Sequence, residues 1–424
     1  MSTTTITLPY TDKTTLTLTF DERNLGEVIR PASVAPIADS NAAIARALDA
    51  PLGLPPLAEC VRPGQRVLIL SDDNTRSTPT ARILPVVLER LRRAGVRAQD
   101  IEILIAAGTH RPMTDAEITL KLGVDVAAQY RVTRHECHNP AALYHAGVSR
   151  EGIPVWLNRR VREAEFVIGI GNVVPHPHVG WSGGAKILCP GVAGAETVAA
   201  FHRVGIEDPT NHLGRDDAPA RQSLEALADA AGLHFVINTV LTSNHRLHRI
   251  FAGQPRQAQI AARQASREVY GVPVRQRYDI VIANAYPAFL EFWQAGKGIF
   301  SADLILKPGG SIILIAPCPE GIGVTHPKQT EYLGLALNEL QRQLLAGDME
   351  DPIAAAVCVK VKHIQQRARV AIVSDGLREG EARALGCEPL ARVEDALDAL
   401  LSQHGRQSKV AVITHGGETI PYVV

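Results

Sequence analysis

Short continuous runs of apolar, β-branched residues recur along the chain, and most end in a polar loop. R-V-L-I-L runs into Ser71-Asp72-Asp73-Asn74-Thr75-Arg76, I-E-I-L-I-A-A-G into Thr109-His110-Arg111, and E-F-V-I-G-I-G into Asn172 and then His176. H-F-V-I-N-T-V-L, D-I-V-I-A-N-A, S-I-I-L-I-A-P, R-V-A-I-V-S-D and K-V-A-V-I-T-H follow. Runs without alternation suit strands buried on both faces, and such strands belong to mostly parallel sheets. Helical patterns lie between many of them. R-I-L-P-V-V-L-E-R-L-R-R-A-G, from Arg82 to Gly95, spaces apolar residues at helical intervals and stops at a glycine. Thr114-Asp115-Ala116-Glu117 is a capping box that opens another helix. The alternation predicts an α/β protein whose mostly parallel sheets are flanked by helices joined through right-handed crossovers.

At 424 residues the chain is long enough for two or three domains. A division is expected near residues 265–278. There a Gln- and Arg-rich helix, A-A-R-Q-A-S-R-E-V-Y, meets Gly271-Val272-Pro273, and a new strand begins at Asp279. This reading gives an N-terminal cofactor-binding and catalytic domain over residues 1–270 and a C-terminal α/β domain over 275–424. The final strand, Lys409 to Thr414, is free to pack with either. The active site is expected at the domain interface, where ligand sites concentrate.

Lys plus Arg and Asp plus Glu number 44 each, so the chain offers no electrostatic case for nucleic acid or anionic membrane as a partner. Its apolar runs are too short to span a bilayer. M-S-T-T-T-I-T-L-P-Y lacks a basic stretch followed by an apolar core, and the expectation is a soluble cytoplasmic protein. The six cysteines are scattered without a C-x-x-C pair, which argues against thiolate-bound zinc or a disulfide framework.

The densest chemistry lies between Pro175 and Gly191, P-H-P-H-V-G-W-S-G-G-A-K-I-L-C-P-G. A strand feeding a glycine-rich, histidine-bearing loop is where open α/β sheets place ligands. One of His176 and His178 is expected to face the site. Ser182, Gly183 and Gly184 can present backbone N–H groups to a phosphate, although the Walker spacing is absent. Lys186 is either a phosphate cation or a nucleophile of lowered pKa. His202, on the next predicted helix, is a helix-end histidine or a metal ligand. In the loops after the earlier strands, Arg76 has the planar fork for a carboxylate, Asp73 can orient a neighbour, and His110 is placed for acid–base work. Gln294 and Lys297, three apart after Trp293, would share one face of a helical turn. His135 and His138 have metal-like spacing but read as a strand end and turn. His212, His245, His248 and His326 have no context that lifts them above loop histidines.

D-x-T-R, G-T-H-R, P-H followed by G-W-S-G-G-x-K-x-x-x-P-G, a helix ending in F-H, and Q-x-x-K, in this order, resemble the nickel-pincer lactate racemase family. The resemblance covers nearly the whole chain. It implies an isomerase that inverts C2 of a 2-hydroxy acid, lactate or a related acid, by reversible hydride transfer. It also implies nickel held in a pyridinium-3,5-bisthiocarboxylic acid mononucleotide, the nickel-pincer nucleotide, tethered to Lys186. By the same motifs His202 would ligate nickel, His110 and His176 would be the acid–base pair, and Arg76, Gln294, Lys297 and Trp293 would line the substrate site. Asp73, Ser182, Gly183 and Gly184 would lie with the cofactor. The implied partners are a small 2-hydroxy acid and cofactor-synthesis proteins. Two departures stand out: Trp293 replaces the tyrosine expected in lactate-specific members, and residues 352–367 hold no tryptophan. A non-catalytic nickel-nucleotide carrier would need the loop and His202 but neither His110 nor His176. A zinc-dependent hydrolase or lyase would need a ligand set such as H-E-x-x-H, which is absent.

Overall fold

The computed structural model describes residues 2–424 and contains two six-stranded sheets. In the first, the strands run in the order Leu247–Gly253, Phe235–Leu241, Phe166–Asn172, Val67–Asp72, Ile101–Ala106, Arg131–Arg134. Every neighbouring pair is parallel except the hairpin formed by the first two. The three inner strands Val67–Asp72, Phe166–Asn172 and Phe235–Leu241 are buried at every residue, as their uninterrupted apolar sequences require. The chain moves from Val67–Asp72 outward to Arg131–Arg134, then returns to lay Phe166–Asn172 on the opposite side. That reversal makes a crevice beyond the C-terminal ends of Val67–Asp72 and Phe166–Asn172. Asp73 and Asn172 sit at its lips.

Thr80–Arg93 buries Ile83, Leu84, Val87, Leu88 and Leu91. It starts two residues before the predicted Arg82 and tolerates Pro85 in its second turn. The capping box at Thr114 forms: its hydroxyl accepts the Glu117 N–H, and the Glu117 carboxylate accepts the Thr114 N–H. Pro255–Tyr270 packs on the hairpin of the first sheet.

The second sheet is parallel throughout, in the order Glu388–Pro389, Arg369–Val373, Leu306–Ile315, Tyr278–Asn284, Val410–Ile413, Leu25–Ile29. Val410–Ile413 therefore packs with the second domain. So does the beginning of the chain, in contrast to the expected 1–270 unit. Leu25–Ile29 is the edge strand of the second sheet. The hairpin Thr3–Pro9/Thr15–Asp21 buries Ile6, Leu8, Leu18 and Phe20 in one cluster with Ile280, Ile282, Ile313 and Val412. A two-stranded hairpin with one apolar face has no stability of its own and must find a sheet to cover. The chain end also returns to the division, where Ile420–Val423 pairs with Gly271–Val274. Among the described residues, no helix is long and apolar enough to cross a membrane.

Candidate active site

The crevice of the first sheet opens toward the second domain, and the two together enclose roughly 1430 Å³ including the mouth. Every candidate residue of the sequence lies on its wall: Asp73, Arg76, His110, His176, Ser182, Gly183, Gly184, Lys186, His202, Trp293, Gln294 and Lys297.

Asp73 leaves the end of Val67–Asp72 and is buried. Its Oδ2 lies 2.6 Å from His110 Nδ1, and its Oδ1 accepts from the Thr75 N–H at 3.1 Å. Burial pushes the Asp73 carboxyl up, but His110 and then Arg76 outweigh it and hold the group well below the usual carboxylate range. Burial lowers the His110 pKa, against the pull of Asp73. With Nδ1–H donated to Asp73, His110 presents the Nε2 lone pair, which the Gln294 amide meets at 3.3 Å. The neighbouring Asp72 forms a buried ion pair with Lys121 at 2.7 Å, and the Lys121 ammonium also reaches the Arg76 carbonyl. The Asp73–Arg76 loop is thus pinned from below.

The loop after Phe166–Asn172 is held from behind. The Ser182 hydroxyl donates to the Asn172 carbonyl and accepts from the Val174 N–H, each at 2.8 Å. Gln259 donates to the Ser182 carbonyl, and the buried Arg221 guanidinium reaches the carbonyls of Val179, Trp181 and Gly183. Gly183 has φ +71°, and a Cβ there would fall 2.6 Å from Val173 Cγ2. The Gly184 N–H is taken by Asn238 Oδ1 at 3.1 Å. Ser182 and the Gly184 N–H therefore brace the loop and do not present free groups to a phosphate, as the sequence had suggested. The unspent polar atoms are others: Asn172 Oδ1 and Asn238 Nδ2, on cavity-lining side chains, are buried without a partner.

Lys186 follows in a 3₁₀ turn. Burial, then Arg76 and Arg221, lower its pKa to about 7. Lys297, hydrogen-bonded to Gln294 Oε1 at 2.7 Å, is pushed well below its ordinary value by burial and then by Arg76 and Lys186. The basic side chains Arg76, Lys186, Lys297 and Lys360 thus line one cavity whose carboxylates, Asp72 and Asp73, are already engaged. Such a site favours an anion.

His176 accepts the His178 N–H at 3.3 Å through Nδ1, which leaves the hydrogen on Nε2. Its protonation is held far down by burial and then Lys186. His110 and His176 thus line the same cavity in opposite tautomers. His178, which the sequence ranked below His176, lines it too. Its ring stacks on His202 with centroids 5.1 Å apart, and its Nε2 lies 3.0 Å from the Phe201 carbonyl. His202 donates Nδ1–H to the Val198 carbonyl at 2.8 Å and keeps its Nε2 lone pair, and burial lowers its pKa to about 4. Among the described residues, no three His, Cys, Asp or Glu side chains cluster as metal ligands. His135 is structural: Nε2 meets the Ala193 carbonyl and Nδ1 meets the Asn158 amide. His326, which sequence context left as a loop histidine, is buried against Trp293. No local pattern marks it, because its partners come from three distant segments.

Fold and site together define a two-domain α/β enzyme with a cleft at the domain junction lined by basic side chains and paired imidazoles. Residues 10–214 match the lactate racemase N-terminal domain family, and residues 274–420 match the lactate racemase C-terminal domain family. The lactate racemase of Lactiplantibacillus plantarum is 29% identical over 427 residues, 97% of this chain and 98% of that protein. That of Thermoanaerobacterium thermosaccharolyticum is 26% identical, covering 89% of each. The solved lactate racemase apoprotein from T. thermosaccharolyticum superimposes with a TM-score of 0.88 at 25% identity, over 99% of this chain and 100% of the other. A Thermotoga maritima protein shares the fold, with a TM-score of 0.73 at 21% identity over 93% of this chain and 100% of the other. The chain belongs to the lactate racemase family, a family of isomerases.

Proposed function

We propose that the chain racemises or epimerises a 2-hydroxy acid at C2 by reversible hydride transfer, using a nickel-pincer nucleotide attached to Lys186. The residues present fit such a group. Asn172 Oδ1 and Asn238 Nδ2 are buried and unpaired, a state that costs about 1–3 kcal/mol each unless a ligand satisfies them. Lys186 has a pKa of about 7 and supplies a neutral amine for acylation near neutral pH. His202 offers one neutral nitrogen, which suits a metal that arrives with most of its ligands already bound. When bound, the group supplies a hydride acceptor and donor beside C2.

The chain's own residues account for the rest. Arg76 and Lys297 hold the substrate carboxylate. The His110 Nε2 lone pair takes the hydroxyl proton, and Asp73 stabilises the imidazolium that results. The planar 2-keto acid that results would face both imidazoles; His176, protonated from solvent to its imidazolium, would give that proton to the keto oxygen and return to the neutral imidazole, while His110 loses its proton to solvent. The opposite enantiomer uses the two histidines in exchanged roles. The observation that carries this reading is the pair of imidazoles on one cavity, with His110, held through Nδ1 by Asp73, keeping its Nε2 lone pair to accept a proton and His176 lining the same space. A carrier would have no use for such a pair.

The test is a panel of single-enantiomer 2-hydroxy acids incubated with enzyme made alongside the cofactor pathway and read by chiral separation. Racemisation of at least one acid is expected. His110→Ala and His176→Ala should each abolish it while retaining cofactor. Full activity in protein from a host lacking that pathway would sink the proposal.

A further inference from the structure

We propose that His326 is a positioning residue that sets His110 and Gln294 against each other across the domain cleft. His326 is 3% exposed, and both of its ring nitrogens have partners. Its ring lies against Trp293, with centroids 4.1 Å apart. Its Nδ1 is 2.8 Å from Asp351 Oδ2, so the Nδ1–H is donated and Nε2 keeps its lone pair. Thr109 Oγ1 lies 3.3 Å from that Nε2 and donates to it.

The chain positions of these contacts give them meaning. Thr109 immediately precedes His110, and Trp293 immediately precedes Gln294. The Gln294 amide is the group that meets His110 Nε2. One imidazole of the second domain thus holds the neighbour of each member of that pair, and the Thr109 contact crosses from one domain to the other. The anchor is itself fixed. Asp351 Oδ1 accepts the Ala354 N–H and caps Pro352–Gln365, while the Asp351 N–H goes to the Tyr332 hydroxyl. The inference rests on reading His110 as an acid–base residue.

Two substitutions separate positioning from packing. Thr109→Val removes one hydroxyl at nearly constant volume. His326→Phe keeps a ring against Trp293 and loses both hydrogen bonds. Each should lower kcat about 10- to 100-fold with little change in KM, as expected for sub-ångström misplacement of a reacting group. The double variant should be no worse than the worse single one, because both break the same link. A second readout needs neither cofactor nor turnover: titration of the His110 imidazole by NMR in the apoprotein. Asp73, Arg76 and Lys186 face His110, and burial is the largest influence on it. A loosened cleft admits water, and the His110 pKa should move up in both variants. Multiplicative losses in the double variant would overturn the proposal. So would an unmoved His110 titration accompanied only by a lower Tm. If His326→Phe fails to fold, Thr109→Val decides alone. If no acid is racemised, the titration still decides, and the two failures remain distinct.

Discussion

Lys186 shows how one residue's surroundings set its chemistry. An exposed lysine titrates near about 10.4, whereas burial beside Arg76 and Arg221 brings this one to about 7. Between these values the unfolded chain binds more protons than the folded one, so the stability penalty from Lys186 is largest at and below neutral pH and fades as pH rises toward 10. Lys186→Met should therefore raise the apoprotein Tm at pH 7 by a few degrees, and this gain should shrink steadily as pH is raised. A lower Tm for the variant at pH 7 would contradict the assignment. The same amine should react with an acylating reagent half-maximally near pH 7, while surface lysines need a far more alkaline solution; peptide mass mapping across pH reads both. The sequence made Lys186 a special lysine through its glycine-rich neighbours. It left open whether the residue is a phosphate cation or a nucleophile of lowered pKa, because the lowering comes from burial and then from Arg76 and Arg221, which lie far from it in sequence.

At the scale of elements, the segment from Val173 to Gly194 is a loop whose backbone is pinned by side chains from elsewhere. Arg221 comes from the helix Pro219–Ala231, Gln259 from the helix Pro255–Tyr270, and Asn238 from the adjacent strand Phe235–Leu241. Gly183 is needed for both conformation and space, since its φ is +71° and a Cβ would meet Val173 and Asn238. Gly183→Ala is expected to leave the circular dichroism spectrum close to that of the parent while abolishing cofactor retention, measured as nickel per chain after gel filtration. Parent-like nickel content would show that the loop does not depend on this geometry. The strands were legible because burial on both faces demands unbroken apolar runs. The loop's special residues were legible from composition, but their division of labour was not. Ser182 and Gly184 read as ligand-binding groups and prove to be braces, because their partners Asn172, Val174 and Asn238 meet them only in the folded state.

For the whole molecule, the division of the chain does not follow its order. Residues 2–29 complete the second sheet and cover one of its faces, although the first sheet separates them from it in sequence. A chain beginning at residue 30 should expose the edge at Val410–Ile413 and the face around Ile280, Ile313 and Val412. It is expected to aggregate, or to lose the cooperative unfolding of the second domain; a soluble protein with the parent Tm would refute this. Sequence alone was enough for the α/β class, the parallel strands and the family to which the chain belongs. All of these rest on local periodicity or on motifs in fixed order. Tertiary structure alone decided where the first strands pack, which tautomer each histidine holds, and that His178 and His326 belong to the site. Those outcomes depend on hydrogen-bond donors, acceptors and apolar faces far apart in the chain, which act on one another only once folding has brought them within a few ångströms.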